Sequence, residues 1–393
     1  MTPSARAQAA IDLLDEIIAA ARDNGSAADH IAKRFFAGRR YAGSKDRRAI
    51  RELVWRAIRA FGERPAGGRA AIVTLADSDA DLADCFDGNG YGAAEITADE
   101  PRAATALLPA WLNGQFAQPI DDAEQRALME RAPLDVRVNT LLSDRDTVLA
   151  EITEAQPLAS PDALRLPTDF VLDDHAAYNR GHIEVQDYGS QLIVAACDVQ
   201  RGSTVLDLCA GAGGKTLALA AAMQGKGQLI ATDTNRNRLD QLRLRMQRAG
   251  ADFIEPLLLN PGKELAMMPE LVGGCDLVLV DAPCSGTGTW RRSPETRWRL
   301  NSARLKRVID EQAKLLRIAA EMVRPGGALV YAVCSVLDAE GKGQVDIFLN
   351  DHAGWEAEPI ISLPAGRAYG AGILLTPAHD NCDGFFFARM RKL

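Results

Sequence analysis

The residues of this chain with the clearest chemistry fall in three short stretches, VLDLCAGAGGKT (205–216), DLVLVDAPCSGTG (276–288) and ALVYAVCSV (328–336). The second and third each set a cysteine, Cys284 and Cys334, directly after an apolar run. A cysteine so placed could be a nucleophile, a metal ligand or a packed thiol. Seven cysteines occur, at 85, 197, 209, 275, 284, 334 and 382. No two have the CxxC spacing of a zinc site, and a disulfide framework is foreign to a chain this long. The histidines show neither metal nor triad spacing, so no metal is expected.

The first stretch reads as a glycine-rich strand-to-helix turn, which lets backbone approach a ligand and aims helix N–H groups at it. A phosphate loop of the form GxxxxGK[ST] ending at Lys215-Thr216 needs glycine at 209. Cys209 stands there, which disfavours a nucleotide hydrolase. The dinucleotide pattern GxGxxG fails as well, because Gly213 is followed by Gly214, Lys215 and Thr216. A nucleoside-binding turn fits better, with Asp233 at the end of QLIATD placed to accept both ribose hydroxyls. S-adenosylmethionine is the leading candidate among several such ligands.

A thiolate beside a methyl donor suits methylation of a pyrimidine at C5. That carbon is not nucleophilic in the free base. Addition of a thiolate at C6 makes the ring enamine-like, so that C5 can attack a methyl group. The ring nitrogen N3 must meanwhile be protonated or hydrogen-bonded, a task for Asp281 if burial keeps its carboxyl protonated. A base must then remove the C5 proton before the thiol leaves. Two cysteines at the C-terminal ends of neighbouring strands, on the rim of the glycine-rich turn, are hard to explain by packing.

Such residues need an alternating scaffold. From 203 onward STVLDL, QLIATD, FIEPLLL, DLVLVDAP and ALVYAVCS are strand-like, and GFFFARMRK closes the series. KTLALAAAM, NRNRLDQLRLRMQRAG and SARLKRVIDEQAKLLRIAAEMV lie between them as helices. Near-continuous apolar strands alternating with helices predict a mostly parallel sheet covered on both faces. Upstream, PLDVRVNTL alternates like a strand, SDRDTVLAEITEA resembles a capped helix, and ALRLP and FVLDD are extended. SQLIVAACD reads as a helix leading into the last domain.

Residues 5 to about 64 read as helices, and helical signals return around 104–131. In SKDRRAIRELVWRAIRAF, with Ser44 as N-cap, Ile50, Leu53, Val54, Ala57, Ile58 and Phe61 form one stripe. Arg47, Arg48, Arg51, Arg56 and Arg59 lie away from it. Net charge is −8, yet its distribution is uneven. Residues 33–64 hold eleven Lys/Arg against three acids, 76–100 eight acids and no base, and 291–307 seven Lys/Arg against one acid. Such segregation lets an acidic protein show a positive face to phosphates. Arg47, Arg48 and Arg51 are therefore candidate RNA contacts. So are Arg137 and the pair Arg291 and Arg292, which with Arg297 and Arg299 interleave with Trp290 and Trp298. The alternatives are a strand end at Arg137 and a lid that packs its tryptophans. Composition is that of a soluble globular protein, no run is long enough to span a membrane, and the start lacks a signal-peptide core. A cytoplasmic location is expected.

Together VLDLCAGAGGKT, DLVLVDAPCSGTG, PGGALVYAVCSV and the terminal DGFFFARM resemble the Sun/Fmu family of RNA cytosine-C5 methyltransferases, and within it those acting on small-subunit ribosomal RNA. These motifs span about 203–393. PLDVRVNTL and GHIEVQDYGSQL are similar to the family's N1 region, and the basic helical segment is similar to a NusB-like RNA-binding domain. The resemblance implies an α/β protein in three parts: a helical NusB-like domain at 1–130, a small α+β N1 region at 131–198, and a methyltransferase domain at 199–393. That last domain would be Rossmann-like, with a mostly parallel seven-stranded sheet.

It further implies transfer of a methyl group from S-adenosylmethionine to C5 of one cytosine in 16S rRNA through a cysteine–C6 adduct. Cys334 would attack, Cys284 would help release the product, Asp281 would contact the base and Lys215 would support it. Cofactor contacts would come from Cys209, Ala210, Gly211, Ala212, Gly213, Gly214, Lys215, Asp233, Asn260 and Asp281. The partner would be 16S rRNA, naked or in a partly assembled subunit, and the protein a monomer. Two residues depart from the family pattern: Ala212 replaces a proline, and Asn260 replaces the usual aspartate. DNA C5-methyltransferases attack with the cysteine after the fourth strand, so Cys334 is what points to RNA. A tRNA enzyme and a non-catalytic ribosome assembly factor are the competing readings.

Overall fold

A threonine cap and a proline start the first helix. Thr2 Oγ1 accepts from the Ala5 amide at 3.2 Å, and Pro3 occupies the first turn. The structure is a computed structural model that describes residues 1–23, 25–361 and 363–393. Helix α1 (Pro3–Arg22) buries Ala7, Ala10, Leu14, Ile17 and Ala21 at helical spacing. It packs with α2 (Ala28–Ala37), α3 (Ser44–Ala60) and α4 (Gly68–Ala76) around one apolar core. Helix α3 buries Ile50, Val54, Ala57 and Ile58, and Phe61 follows it into the core, while Leu53 is only half-buried. Its N-cap is Gly43 rather than the expected Ser44. Asp46 at the third helical position accepts from the Gly43 amide at 3.3 Å and so supplies the reciprocal half of a cap from inside the helix. The helical signal over 104–131 yields only a short helix, Asp122–Ala127, and one 3-10 turn, Ala110–Leu112. Pro109 and Pro119 interrupt that stretch.

The chain divides into two compact units, Met1–Arg131 with Thr289–Ser302, and Ala132–Gly288 with Ala303–Leu393. Residues 132–198 share the second unit with the large sheet. The segment 289–302 leaves the sheet-bearing unit and joins the helical one. Side chains explain why: Arg297 donates to the carbonyls of Ile58, Arg59 and Phe61 at 2.6, 3.0 and 2.9 Å. Trp298 Nε1 donates to the Phe61 carbonyl at 2.7 Å, and Arg299 reaches the carbonyls of Gly25 and Ser26. The last carbonyls of a helix lack intrahelical donors, and a buried guanidinium satisfies them at the end of α3.

In the second unit, β1 (Leu134–Val138), β2 (Gln156–Pro157), β3 (Ala163–Leu166) and β4 (Ile183–Val185) form an antiparallel sheet in the order β2-β3-β1-β4. The FVLDD piece forms no strand; a single helical turn, Ala176–Asn179, follows it. Helix α5 (Tyr188–Ala196) leads to the main sheet. There β5 (Thr204–Asp207), β6 (Gln228–Asp233), β7 (Ile254–Leu258), β8 (Cys275–Asp281) and β9 (Val323–Val333) run parallel in the order β7-β6-β5-β8-β9. Then β10 (Trp355–Glu358), β11 (Arg367–Tyr369), β12 (Gly372–Leu375) and β13 (Phe385–Lys392) extend it antiparallel beyond β9. The sheet has nine strands among the described residues, not the expected seven. The surplus comes from short antiparallel pieces on the far side of β13, whose few residues carry little periodic signal. Helices α6 (Gly214–Ala222), α7 (Arg236–Ala249), α8 (Ser302–Met322) and α9 (Lys342–Asp351) alternate with the strands. The core between sheet and helices is aliphatic, with Val205, Leu217, Leu229, Leu242, Leu277 and Val330 fully or almost fully buried. Successive strands step away from β5 in opposite directions, so the crevice of this α/β sheet opens where β5 and β8 end. Among the described residues no helix is long and apolar enough to cross a membrane.

Candidate active site

A cleft of about 790 Å³ opens at that point. It is lined by the turn after β5 (Cys209, Ala210, Gly211, Ala212, Gly214 and Lys215), by Asp233 after β6, by Asp281 to Cys284 after β8 and by Cys334 after β9. Gly211 and Gly213 have positive φ, +56° and +84°, which lets the chain turn sharply into α6. A Cβ on Gly211 or Gly214 would meet nothing within 4 Å, so the turn faces open space on that side. Asp233 shapes the same wall, its Oδ2 accepting from the Gly211 amide at 2.9 Å and its Oδ1 from the Asn235 amide at 2.7 Å. Each oxygen keeps a lone pair for a ligand hydroxyl. The Ala212 carbonyl accepts from Arg245 at 2.9 Å, and Glu184 holds Arg245 at 2.8 Å. That bond steadies the turn where a proline is missing.

Gly213 caps α6 from just behind this wall. Asn260 is exposed after β7 and does not line the cleft; Leu259 and Glu264 do. Buried Glu264 is held by Lys314 at 2.7 Å.

On the other wall the sulfurs of Cys284 and Cys334 stand 3.2 Å apart. Cys334 directly follows β9, Cys284 lies three residues beyond the end of β8, and the two strands are neighbours, so the pairing brings the two loops together. The hydrogen bond to Cys334, followed by burial, pushes the Cys284 thiol well above the usual thiol range. Lys215 Nζ donates to Asp281 Oδ2 at 2.7 Å. Burial works against the Lys215 ammonium, but the Asp281 carboxylate outweighs it and raises its pKa. A carboxylate held by an ammonium accepts hydrogen bonds. The sequence-based expectation that Asp281 donates a proton to N3 therefore gives way to an accepting role. Beneath the pair, burial above all raises the Asp207 carboxyl to about 7, although Thr216 Oγ1 donates to its Oδ2 at 2.7 Å. Burial also pushes Cys209 well up, which leaves it a protonated wall residue.

Two kinds of residue escape sequence reasoning. Asp207 is one, since a strand acid reads as part of the turn motif. The other is Glu340, wholly buried behind the two thiols and bonded to Ser285 and Ser335. A repeated Cys-Ser pair, 284–285 and 334–335, was the available signal.

The candidate RNA contacts separate into two groups. Arg48 and Arg51 are exposed on α3, paired with Glu52 at 3.0 Å and Asp29 at 2.8 Å; half-buried Arg47 donates to the Ala42 carbonyl at 2.8 Å. Exposed pairs of this kind are worth roughly 0–1 kcal/mol, so a phosphate can displace them. Arg292 is half-buried. Arg137 and Arg291 are buried instead, which corrects their assignment as surface contacts. Arg137 donates to Gln186 Oε1 at 2.9 Å, and burial lowers its pKa to about 10. The Arg291 segment is drawn into the helical unit, where Trp290 and Trp298 are packed rather than offered for stacking.

Residues 194–391 match the family model described as 16S rRNA methyltransferase RsmB/F. A probable ribosomal RNA small subunit methyltransferase B of Synechocystis is 35% identical over 302 residues, covering 72% of this chain and 67% of that protein. The ribosomal RNA small subunit methyltransferase B of Sodalis glossinidius is 32% identical over 295 residues, 73% of this chain and 64% of that one. The chain thus spans about two-thirds of the length of the curated relatives it matches. The crystal structure of PH0851 has the same fold, with a TM-score of 0.80 and 23% identity over 100% of this chain and 99% of that one.

Proposed function

The chain belongs to the RsmB/F family of 16S rRNA methyltransferases, and on that premise we propose that it methylates C5 of a cytosine in 16S rRNA through a Cys334–C6 adduct. The observation that carries this reading is the pair of thiols 3.2 Å apart beside the Lys215–Asp281 pair, on the rim of a nucleoside-type cleft. S-adenosylmethionine, when bound, supplies the electrophilic methyl group that C5 takes. The residues present fit it: the bare glycines leave room, the Asp233 oxygens suit ribose hydroxyls, and α6 directs N–H groups at the site.

Cys334 Sγ bonds to C6 while the C5–C6 electron pair shifts to C4–C5 and the C4–N3 pair to N3, which takes up the proton that the thiol gives up. Asp281, held by Lys215, accepts from the N4 amino group and from the N3–H so formed, which orients the base and stabilises the positive charge that N3 and N4 share once C5 carries the methyl group. When C5 later loses its proton, the C5–C6 double bond re-forms and the Cys334 sulfur departs with the electron pair. Cys284 keeps its proton, and its S–H can donate to that departing sulfur at 3.2 Å. Arg48 and Arg51 give the helical unit an exposed basic face for backbone phosphates.

The test is methyl transfer from labelled S-adenosylmethionine to 16S rRNA fragments and to tRNA, with bisulfite sequencing of the product. The reading predicts one bisulfite-resistant cytosine in the rRNA. Label on a ribose, on N4, or in tRNA alone would contradict it.

A further inference from the structure

A buried carboxylate ties together the two loops that carry the thiols. Glu340, between β9 and α9, has no exposed surface. Its Oε1 accepts from the Ser285 amide at 2.7 Å and from Gln312 Nε2 at 3.0 Å. Its Oε2 accepts from Ser335 Oγ at 2.6 Å and from Ser285 Oγ. An ionised carboxylate offers about four lone-pair sites. Four neutral donors fill them here, which makes a buried anion tolerable.

The partners matter more than the number. Ser285 directly follows Cys284, and Ser335 directly follows Cys334. One carboxylate therefore grips the residue next to each thiol. The surrounding bonds anchor the clamp: the Tyr331 hydroxyl donates to the Glu340 carbonyl at 2.7 Å, and Gln312 Nε2 also donates to the Pro283 carbonyl at 2.9 Å. Thr287 Oγ1 accepts from the Val336 amide at 3.0 Å and sits 3.0 Å from Ser335 Oγ, adding a second bridge between the loops.

Magnitudes decide what holds the sulfurs in contact. A thiol is a weak donor and a weak acceptor, so the 3.2 Å sulfur contact cannot itself fix two loops. Hydrogen bonds to a charged group are roughly twice as strong as those between neutral groups. Building on the methyltransferase reading above, we propose that Glu340 is a positioning residue. Through Ser285 and Ser335 it sets the approach of the releasing thiol, Cys284, to the attacking one, Cys334.

The test reads thiol geometry separately from methylation. Diamide oxidises two adjacent thiols to a disulfide, taking both electrons and both thiol hydrogens across its N=N bond. The rate of Cys284–Cys334 disulfide formation is followed by peptide mapping in wild type, Glu340→Ala, Glu340→Gln and Ser335→Ala, each checked for a cooperative melting transition. Glu340→Ala is expected to slow that disulfide by about tenfold or more, as loss of approach geometry of about 1 Å does for other proximity-driven reactions. Ser335→Ala and Glu340→Gln, which keep part of the network, fall between, and Ser335→Ala adds little in the Glu340→Ala background, where only its contact with Thr287 is left to lose. In methyl transfer the same variants lower kcat and leave KM for S-adenosylmethionine and RNA unchanged. Wild-type disulfide rates in folded Glu340→Ala would overturn the proposal. If that variant does not fold, wild-type rates in folded Ser335→Ala and Glu340→Gln overturn it equally. Should wild type methylate no RNA, the methyltransferase reading fails while the disulfide rates still decide the clamp.

Discussion

Lys215 Nζ donates to Asp281 Oδ2 at 2.7 Å, joining the first turn of α6 to the end of β8 across the crevice of the sheet. The pair presents a fixed carboxylate to whatever base enters beside the thiols. Asp281→Asn keeps the shape but loses the charge that grips the protonated ring. It is expected to lower kcat by about a hundredfold or more, with S-adenosylmethionine affinity changed far less. Lys215→Met should cost a similar amount, and the double variant little more than either, because both remove one unit. Single-turnover methylation measures all three, and additive losses would contradict the paired role.

Asp233 addresses the cofactor. Its two oxygens each accept one backbone amide and keep capacity for a hydroxyl. Asp233→Ala is expected to weaken S-adenosylmethionine binding by about tenfold to a hundredfold, the loss of charge-assisted hydrogen bonds. Isothermal calorimetry on the protein without RNA measures it. An unchanged Kd would remove Asp233 from the site.

Asp207 predicts a pH dependence. Its folded-state pKa is about 7 against an ordinary 3.8, so the folded chain holds a proton between those values that the unfolded chain releases. Stability from this group therefore falls as pH rises from 3.8 to about 7 and is flat above that. Asp207→Asn keeps an oxygen for the Thr216 hydroxyl and cannot ionise. It is expected to be more stable than wild type at pH 8 by roughly a few kcal/mol, with most of that advantage gone near pH 4. Urea midpoints at the two pH values give the difference, and the same offset at both would refute the account.

Arg297 predicts where the segment after the second motif matters. It is almost fully buried and caps three carbonyls at the end of α3. Arg297→Ala is expected to destabilise the helical unit by about 3 kcal/mol, the scale for a buried charged group whose partners are left unsatisfied. Arg297→Lys should rescue little, since an ammonium lacks the planar fork. Far-UV circular dichroism during urea unfolding reads both. A loss of RNA affinity with unchanged stability would instead restore the surface role first expected for this arginine-rich stretch.

Much of this was legible in the sequence. The parallel strands announced themselves as apolar runs, and Cys284, Cys334, Asp233 and Lys215 fell at their C-terminal ends, where the structure gathers them round one cleft. What stayed hidden depends on contacts distant in sequence. Arg297 reads as a solvent-facing base until Ile58 and Phe61 are seen to need its donors. Arg137 reads as a strand-end base until Gln186 covers it. Glu340 carries no motif of its own, and only the two serines it joins give it meaning.

The most direct test of the account is adduct trapping. Wild type, Cys284→Ala and Cys334→Ala are incubated with a 16S rRNA fragment and S-adenosylmethionine, and protein–RNA species that survive denaturant are counted on a gel. With Cys334 as the attacker and Cys284 assisting release, Cys284→Ala accumulates the adduct and Cys334→Ala forms neither adduct nor methylated product. An adduct from Cys334→Ala, or its absence from Cys284→Ala with turnover intact, would contradict the assignment of the two thiols.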